Sequence, residues 1–189
     1  MSDKSALRTR LRADRKAAVA ALPAATIALL FKRPPAGLAA RIAPGTVVGL
    51  YHAGQDEAPT SGYAAWFFEN GHALALPAFA DRSAPMEFRR WDNPHDAGAL
   101  VEGPFGIMQP RPDAQLLTPG AVFVPLLGFS ARGDRIGQGA GHYDRWLAAH
   151  PQVLTIGMAW DSQLLDTVPV EPHDVALALV VTPTRLYEA

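Results

Sequence analysis

Phe123-Val124-Pro125-Leu126-Leu127-Gly128-Phe129-Ser130-Ala131-Arg132-Gly133-Asp134-Arg135-Ile136-Gly137-Gln138-Gly139-Ala140-Gly141-His142-Tyr143-Asp144-Arg145 is the most informative stretch of this chain. Residues 121–129 are the strongest strand signal in the sequence, and residues 142–149 read as a helix. Glycines between the two permit close backbone approach, and amides at a helix start can hold phosphate oxygens. Two readings are open on these residues alone: a phosphate-binding turn, or a tight structural turn beside a solvated Arg135. Two familiar nucleotide motifs are excluded. No Gly-Lys-Ser/Thr follows, and Gly137, Gly139 and Gly141 give Gly-x-Gly-x-Gly instead of the dinucleotide spacing.

Working outward, the chain alternates strands and helices. Residues 46–51 read as a buried strand, Thr60 caps a helix running to Asn70, Gly71 ends it, and residues 73–76 form the next strand. Residues 86–91, 153–158 and 175–181 are further strand candidates. At the start, Ser2 or Asp3 caps a helix beginning near Lys4, and Pro23 opens a second helix over residues 24–31. No repeat or long linker divides the chain. The expectation is one domain over residues 1–189, a three-layer α/β/α fold on a mostly parallel, Rossmann-like sheet, with ligands at the carboxyl ends of its strands.

Composition removes several function classes. Without cysteine there is no disulfide, thiolate nucleophile, zinc-thiolate site or iron–sulfur cluster. A net charge of -1 argues against general nucleic-acid binding. Apolar residues are broken up by proline and glycine too often to span a bilayer, and the start is no signal peptide, so a cytoplasmic protein without membrane contact is expected. Charge is uneven: Lys4, Arg8, Arg10, Arg12, Arg15 and Lys16 face only Asp3 and Asp14 in the first sixteen residues, which suits an anionic ligand.

Individual candidates each carry a plainer alternative. Lys4 and Arg8 lie four apart on one helical face, able to approach one anion or to be solvated together. Glu57 follows the first strand and is either a turn carboxylate or a ligand contact. Met86, Phe88 and Trp91 read as strand packing or as pocket wall. His142 is a pocket-wall polar residue or a ligand contact. Asp144 and Asp174 offer hard oxygen to a divalent metal, or cap and pair locally. His52, His95 and His173 have no zinc spacing.

The quoted segment resembles the signature of the 5-formyltetrahydrofolate cyclo-ligase family, through Arg135-Ile136-Gly137 and Gly141-His142-Tyr143-Asp144. Collinear with it, Lys4-Ser5-Ala6-Leu7-Arg8 resembles the family's Lys-x-x-x-Arg, and Glu57 its folate-contacting glutamate. Met86 and Phe88 resemble its Met-x-Phe, Gly106-Ile107-Met108-Gln109-Pro110 its Gly-Ile-x-x-Pro, and Pro169 to Asp174 its Pro-x-x-x-His-Asp. The resemblance implies ATP-dependent cyclisation of 5-formyltetrahydrofolate, with or without a polyglutamate tail, through a phosphorylated formyl intermediate. ATP would be held by Lys4, Arg8, Arg135, Ile136, Gly137, Gln138, Gly139, Ala140, Gly141, His142 and Tyr143. Folate would be held by His52, Glu57, Met86, Phe88, Ile107 and Tyr143, and Mg²⁺ by Asp144 and Asp174. Arg135 and Tyr143 would be catalytic, in a monomer or weak homodimer. Ala140, His142 and Ser130 depart from the family's usual Gly or Lys, Tyr and Asp. Two other readings stand beside this one: a binding protein on the same fold that has lost turnover, prompted by those departures, and a sugar-phosphate isomerase on a related scaffold.

Overall fold

A computed structural model of the chain describes residues 3–27 and 29–189. In order, its elements are α1 (Asp3–Ala20), α2 (Ala24–Ile27), α3 (Ala36–Ala39), β1 (Val48–Gly49), α4 (Ser61–Glu69), β2 (Leu74–Ala78) and β3 (Glu87–Trp91). The hairpin strands β4 (Leu100–Glu102) and β5 (Met108–Pro110) follow, then β6 (Ala121–Pro125), β7 (Gly128–Ser130), β8 (Arg135–Ile136) and α5 (His142–Ala149). The chain closes with β9 (Leu154–Met158), β10 (Leu164–Leu165), β11 (Leu179–Val181) and β12 (Leu186–Glu188).

Seven strands form the main sheet in the order β12-β11-β9-β6-β1-β2-β3. The five inner strands are parallel, and the edge strands β12 and β3 run antiparallel. Strand periodicity divides the side chains between two faces. Leu50, Leu74, Leu76, Phe123, Ile156 and Val181 pack on one side with Tyr63 and Phe67 of α4 and Leu38 of α3. Ala75, Val122, Val124 and Val180 pack on the other with Leu147 of α5. β6 is apolar at every position and buried at all but the last, the half-buried Pro125, as a central parallel strand covered on both faces must be. The expected three-layer, mostly parallel architecture is what forms.

Several boundaries differ from the sequence expectation. The 121–129 strand is two: Pro125, with no N–H to donate, closes β6, and the chain crosses to a small sheet of order β10-β7-β8. The glycine-rich turn therefore follows the β7–β8 hairpin and not the long strand. Residues 175–178 are irregular, with Leu177 N–H donating to Gly133 O at 2.9 Å and Ala178 N–H to Thr155 Oγ1 at 2.8 Å, so the last parallel strand starts at Leu179. The helix expected over 24–31 spans Ala24–Ile27; residue 28, like the capping candidate Ser2, lies outside the described residues. Thr60 does precede α4, but its hydroxyl donates to Tyr51 O at 2.6 Å instead of capping the helix.

Candidate functional site

From the centre of the sheet the chain winds outward in two directions, β1 to β2 on one side and β6 to β9 to β11 on the other. Loops leaving β1 and β6 must part there, and an open α/β sheet binds ligands in the crevice this creates. A cleft of about 310 Å³ lies at that point. Its walls are Tyr51, His52 and Glu57 after β1, Pro77 and Phe79 at β2, Pro125 ending β6, and residues 135–144. Lys4 and Arg8 of α1, the β4–β5 hairpin, His173 and Asp174 complete it.

The glycine-rich turn forms one wall. Gly139 (φ 110°) and Gly141 (φ 66°) adopt left-handed backbone, and Gly141 stands at the start of α5 with no side-chain cap. Helix α1 straps this turn despite the sequence separation: Arg8 Nε donates to Gly137 O at 3.2 Å, and Arg12 Nη2 to Gln138 O at 2.9 Å. Lys4 is buried, its ammonium 2.5 Å from Asp174 and 3.0 Å from Glu171. Burial opposes that charge, but the hydrogen bonds the ammonium donates to Asp174 and Glu171, with the charges of those carboxylates, outweigh it and raise the Lys4 pKa. Asp174 is shifted the other way: burial works against its charge, yet the Lys4 ammonium and the Glu171 N–H hold its pKa below the ordinary value.

Arg135 is not solvated. Its side chain is 3% exposed, with Nη2 donating to Asp144 Oδ1 at 2.7 Å and Nη1 to Val175 O at 2.8 Å. Beside it the Tyr143 hydroxyl is buried with no hydrogen-bond partner among the described residues. Burial, then the Glu57 charge, pushes the Tyr143 pKa far up, so the phenol of this cleft-lining residue stays neutral.

The opposite wall is built around Glu57. Its Oε2 accepts from Gly54 N–H at 2.8 Å and its Oε1 from Gln138 Nε2 at 3.1 Å, with Arg15 Nη1 at 3.7 Å. Met86, His52 and Ile107 line the cleft as expected, Ile107 from the exposed tip of the β4–β5 hairpin. Phe88 does not, and its assignment as a folate contact is corrected. It is 1% exposed on β3, packed edge-to-face on Trp146 at 4.8 Å, beneath the surface the cleft presents. His142 sits at the cleft margin, ring centroids 4.7 Å from Phe79 and 5.5 Å from Phe105. Burial and the neighbouring Arg145 lower its pKa. Arg145 Nη2 lies 3.1 Å from Nδ1 and can only donate, so that nitrogen is the acceptor and the proton sits on Nε2.

The metal pair expected from Asp144 and Asp174 is regrouped. Asp144 Oδ1 accepts from Arg135 and from Val175 N–H, which makes that half-buried carboxylate the counter-ion of the buried Arg135. The donor atoms that converge within 4.8 Å of one another belong to Glu171, His173 and Asp174. Asp174 at the cleft margin and the neighbouring Glu171 offer the hard oxygen chemistry that Mg²⁺ accepts, but the Lys4 ammonium lies against both, so an ion held there shares these carboxylates with Lys4; Asp174 is the member in common with the expected pair.

Sequence reading missed Arg12 and Arg15 as site residues, although their spacing from Lys4 and Arg8 put them on the same basic face. It also missed Tyr51, Phe79, Phe105 and Gln109. Gln109 is 7% exposed and pairs both its amide atoms with the Phe79 backbone, at 3.0 and 3.1 Å, fixing the hairpin to the end of β2. No local pattern marks a side chain that substitutes for a strand.

The fold and the site thus define an α/β protein whose cleft sets a glycine-rich, cation-strapped wall against a wall of one carboxylate and apolar side chains. Residues 1–183 match the profile of the 5-formyltetrahydrofolate cyclo-ligase family, and the chain belongs to that family. It is 36% identical over 124 residues to a 5-formyltetrahydrofolate cyclo-ligase of Mycolicibacterium smegmatis, covering 62% of this chain and 63% of that protein. To one of Escherichia coli it is 35% identical over 102 residues, covering 51% and 56%. The matched stretch thus spans less than two thirds of these relatives' length. A 5,10-methenyltetrahydrofolate synthetase of Mycoplasma pneumoniae shares the fold, with a TM-score of 0.67 over 95% of this chain and 98% of its own at 23% identity. That of Aquifex aeolicus superposes with a TM-score of 0.61 over 100% and 84% at 24% identity. Among the described residues no helix is long and apolar enough to cross a membrane.

Proposed function

We propose that the protein closes 5-formyltetrahydrofolate to 5,10-methenyltetrahydrofolate at the expense of ATP, releasing ADP and phosphate. One observation carries the reading: a single cleft sets the glycine-rich turn and the α1 cations against Glu57 and the apolar wall, in contact through Gln138. An amide-like formyl group is a weak electrophile and its oxygen a poor leaving group. In the proposed reaction the formyl oxygen attacks the terminal phosphorus of ATP and ADP departs. N10 then attacks the formyl carbon of the iminium phosphate and gives up its proton to solvent, the carbon–oxygen bond breaks, and phosphate leaves.

No protein nucleophile is needed. Arg8, Lys4 and the amides around Gly137 to Gly141 bind and stabilise the transferring phosphoryl group. Arg135, buried against Asp144, fixes the base of the turn and adds positive potential to it. Glu57 accepts from the pterin's N–H groups, and the neutral Tyr143 hydroxyl donates into the space between the two substrates. Asp174, with Glu171, would hold Mg²⁺, which neutralises phosphate charge when bound. The test is turnover of 5-formyltetrahydrofolate with and without ATP and Mg²⁺, followed by the methenyl chromophore. Product that depends on both supports the proposal; tight folate binding without product favours a binding protein, and ATP-independent isomerisation of a phosphosugar favours the isomerase reading.

A further inference from the structure

Gln138, part of the glycine-rich turn itself, hydrogen-bonds both α1 and the carboxylate of the facing wall. Its Oε1 accepts from Arg12 Nε at 3.2 Å and its carbonyl from Arg12 Nη2 at 2.9 Å, while its Nε2 donates to Glu57 Oε1 at 3.1 Å. The neighbouring Gly137 carbonyl is held by Arg8. A chain of hydrogen bonds therefore runs from the helix that grips the glycine-rich turn, through one amide side chain, to the carboxylate on the far wall. Glu57 is otherwise secured by the Gly54 N–H on its other oxygen and by the Arg15 guanidinium 3.7 Å from Oε1, too far for a hydrogen bond that would direct the carboxylate. Each carboxylate oxygen so held keeps one further lone pair for a ligand donor.

We infer that Gln138 couples the two substrate sites, so that occupation of the glycine-rich turn tightens binding at Glu57 and the reverse. The inference rests on the reading of the cleft given above. Each site needs Gln138 in the same place: the turn because residue 138 is part of its backbone, and Glu57 because the amide sets the carboxylate's direction. Whichever ligand binds first orders the turn, the amide and the carboxylate together, at a cost in side-chain entropy. The second ligand meets a site already ordered and does not bear that cost again. Linkage requires the same factor in both directions. Phe79, Phe105 and His142 line the cleft without touching Glu57 by a hydrogen bond and do not complete such a path.

The experiment is a pair of titrations by calorimetry on the full chain: 5-formyltetrahydrofolate with and without saturating Mg²⁺ and adenylyl imidodiphosphate, a nucleotide that cannot transfer its terminal phosphoryl group. The expected tightening in the parent is about fivefold, the low end of the usual coupling range. In Gln138→Leu, of similar size but with no hydrogen bonds, the tightening falls below twofold. Arg12→Met, changed at an exposed residue outside the cleft lining, reduces it as well. The measured ratio is insensitive to a uniform loss of affinity, so a merely structural weakening of the turn would lower both constants and leave the ratio intact. That result, or a parent in which both ligands bind without influencing one another, would overturn the coupling while leaving the proposed activity standing. A parent that binds neither ligand would overturn both.

Discussion

Arg135 and Asp144 show how a residue pair changes its meaning when its partners are known. A guanidinium that is 3% exposed depends on its carboxylate, and removing one member of a buried ion pair leaves the other uncompensated. Asp144→Asn should therefore cost roughly 3 kcal/mol of stability in denaturant unfolding, the lower end for such pairs because Asp144 is 19% exposed. Turnover should fall, and added Mg²⁺ should not restore it. Asp174→Asn should also lose stability, because it removes the nearer counter-ion of the buried Lys4, but less than Asp144→Asn since Glu171 stays 3.0 Å from that ammonium, and its turnover should recover in part at high Mg²⁺; equal Mg²⁺ rescue of the two variants would reject the separation of roles. His142 offers a pH test. Its folded pKa lies below the ordinary 6.5, so as pH falls through that value the unfolded chain takes up the proton first and the folded state loses stability. The melting temperature of His142→Gln relative to the parent should rise between pH 7.5 and 5.5. A flat difference across that range would show that burial and Arg145 do not act on this ring as described.

At the scale of elements, two glycines with the same backbone conformation separate steric cost from conformational cost. Gly71 (φ 81°) ends α4, and an added Cβ would meet nothing within 4 Å. Gly133 (φ 83°) turns the β7–β8 hairpin, and its Cβ would fall 2.1 Å from the Leu177 carbonyl oxygen. Gly71→Ala should cost about 1 kcal/mol, the price of left-handed backbone alone. Gly133→Ala should cost about 3 kcal/mol, since backbone that cannot yield adds to the conformational term. Comparable unfolding free energies for the two would contradict this packing. The same hairpin marks where sequence reading ran out. Residues 142–149 were legible as a helix to the residue, and α4 closely, because their boundary signals are local: Gly141 before and Pro151 after the first, Gly71 after the second. That 121–129 holds two strands in different sheets was not, since β7 is defined by partners at residues 135–136 and 164–165, and no local pattern encodes those.

For the whole molecule, the alternation of strands and helices carried the three-layer fold, and the basic helix face with the glycine-rich turn carried one wall of the cleft. Glu57 was legible through resemblance alone; its tie to Gln138 is a long-range contact that only the folded chain displays. The reassignment of Phe88 has the same origin, because an apolar residue on an edge strand reads alike whether it faces a cavity or a core. The base of the glycine-rich turn has a small core of its own, in which Leu11 of α1 packs with Leu127, Ile136 and Val168, separate from the clusters on the main sheet. That arrangement bears on recombination between relatives. A chimaera that imports residues 126–141 alone inherits half of a shared interior and should lose both melting temperature and turnover. One that also imports residues 4–15 and 164–168 moves the whole unit and should recover them. For exchange between family members, the transplantable unit is thus three separated segments of chain.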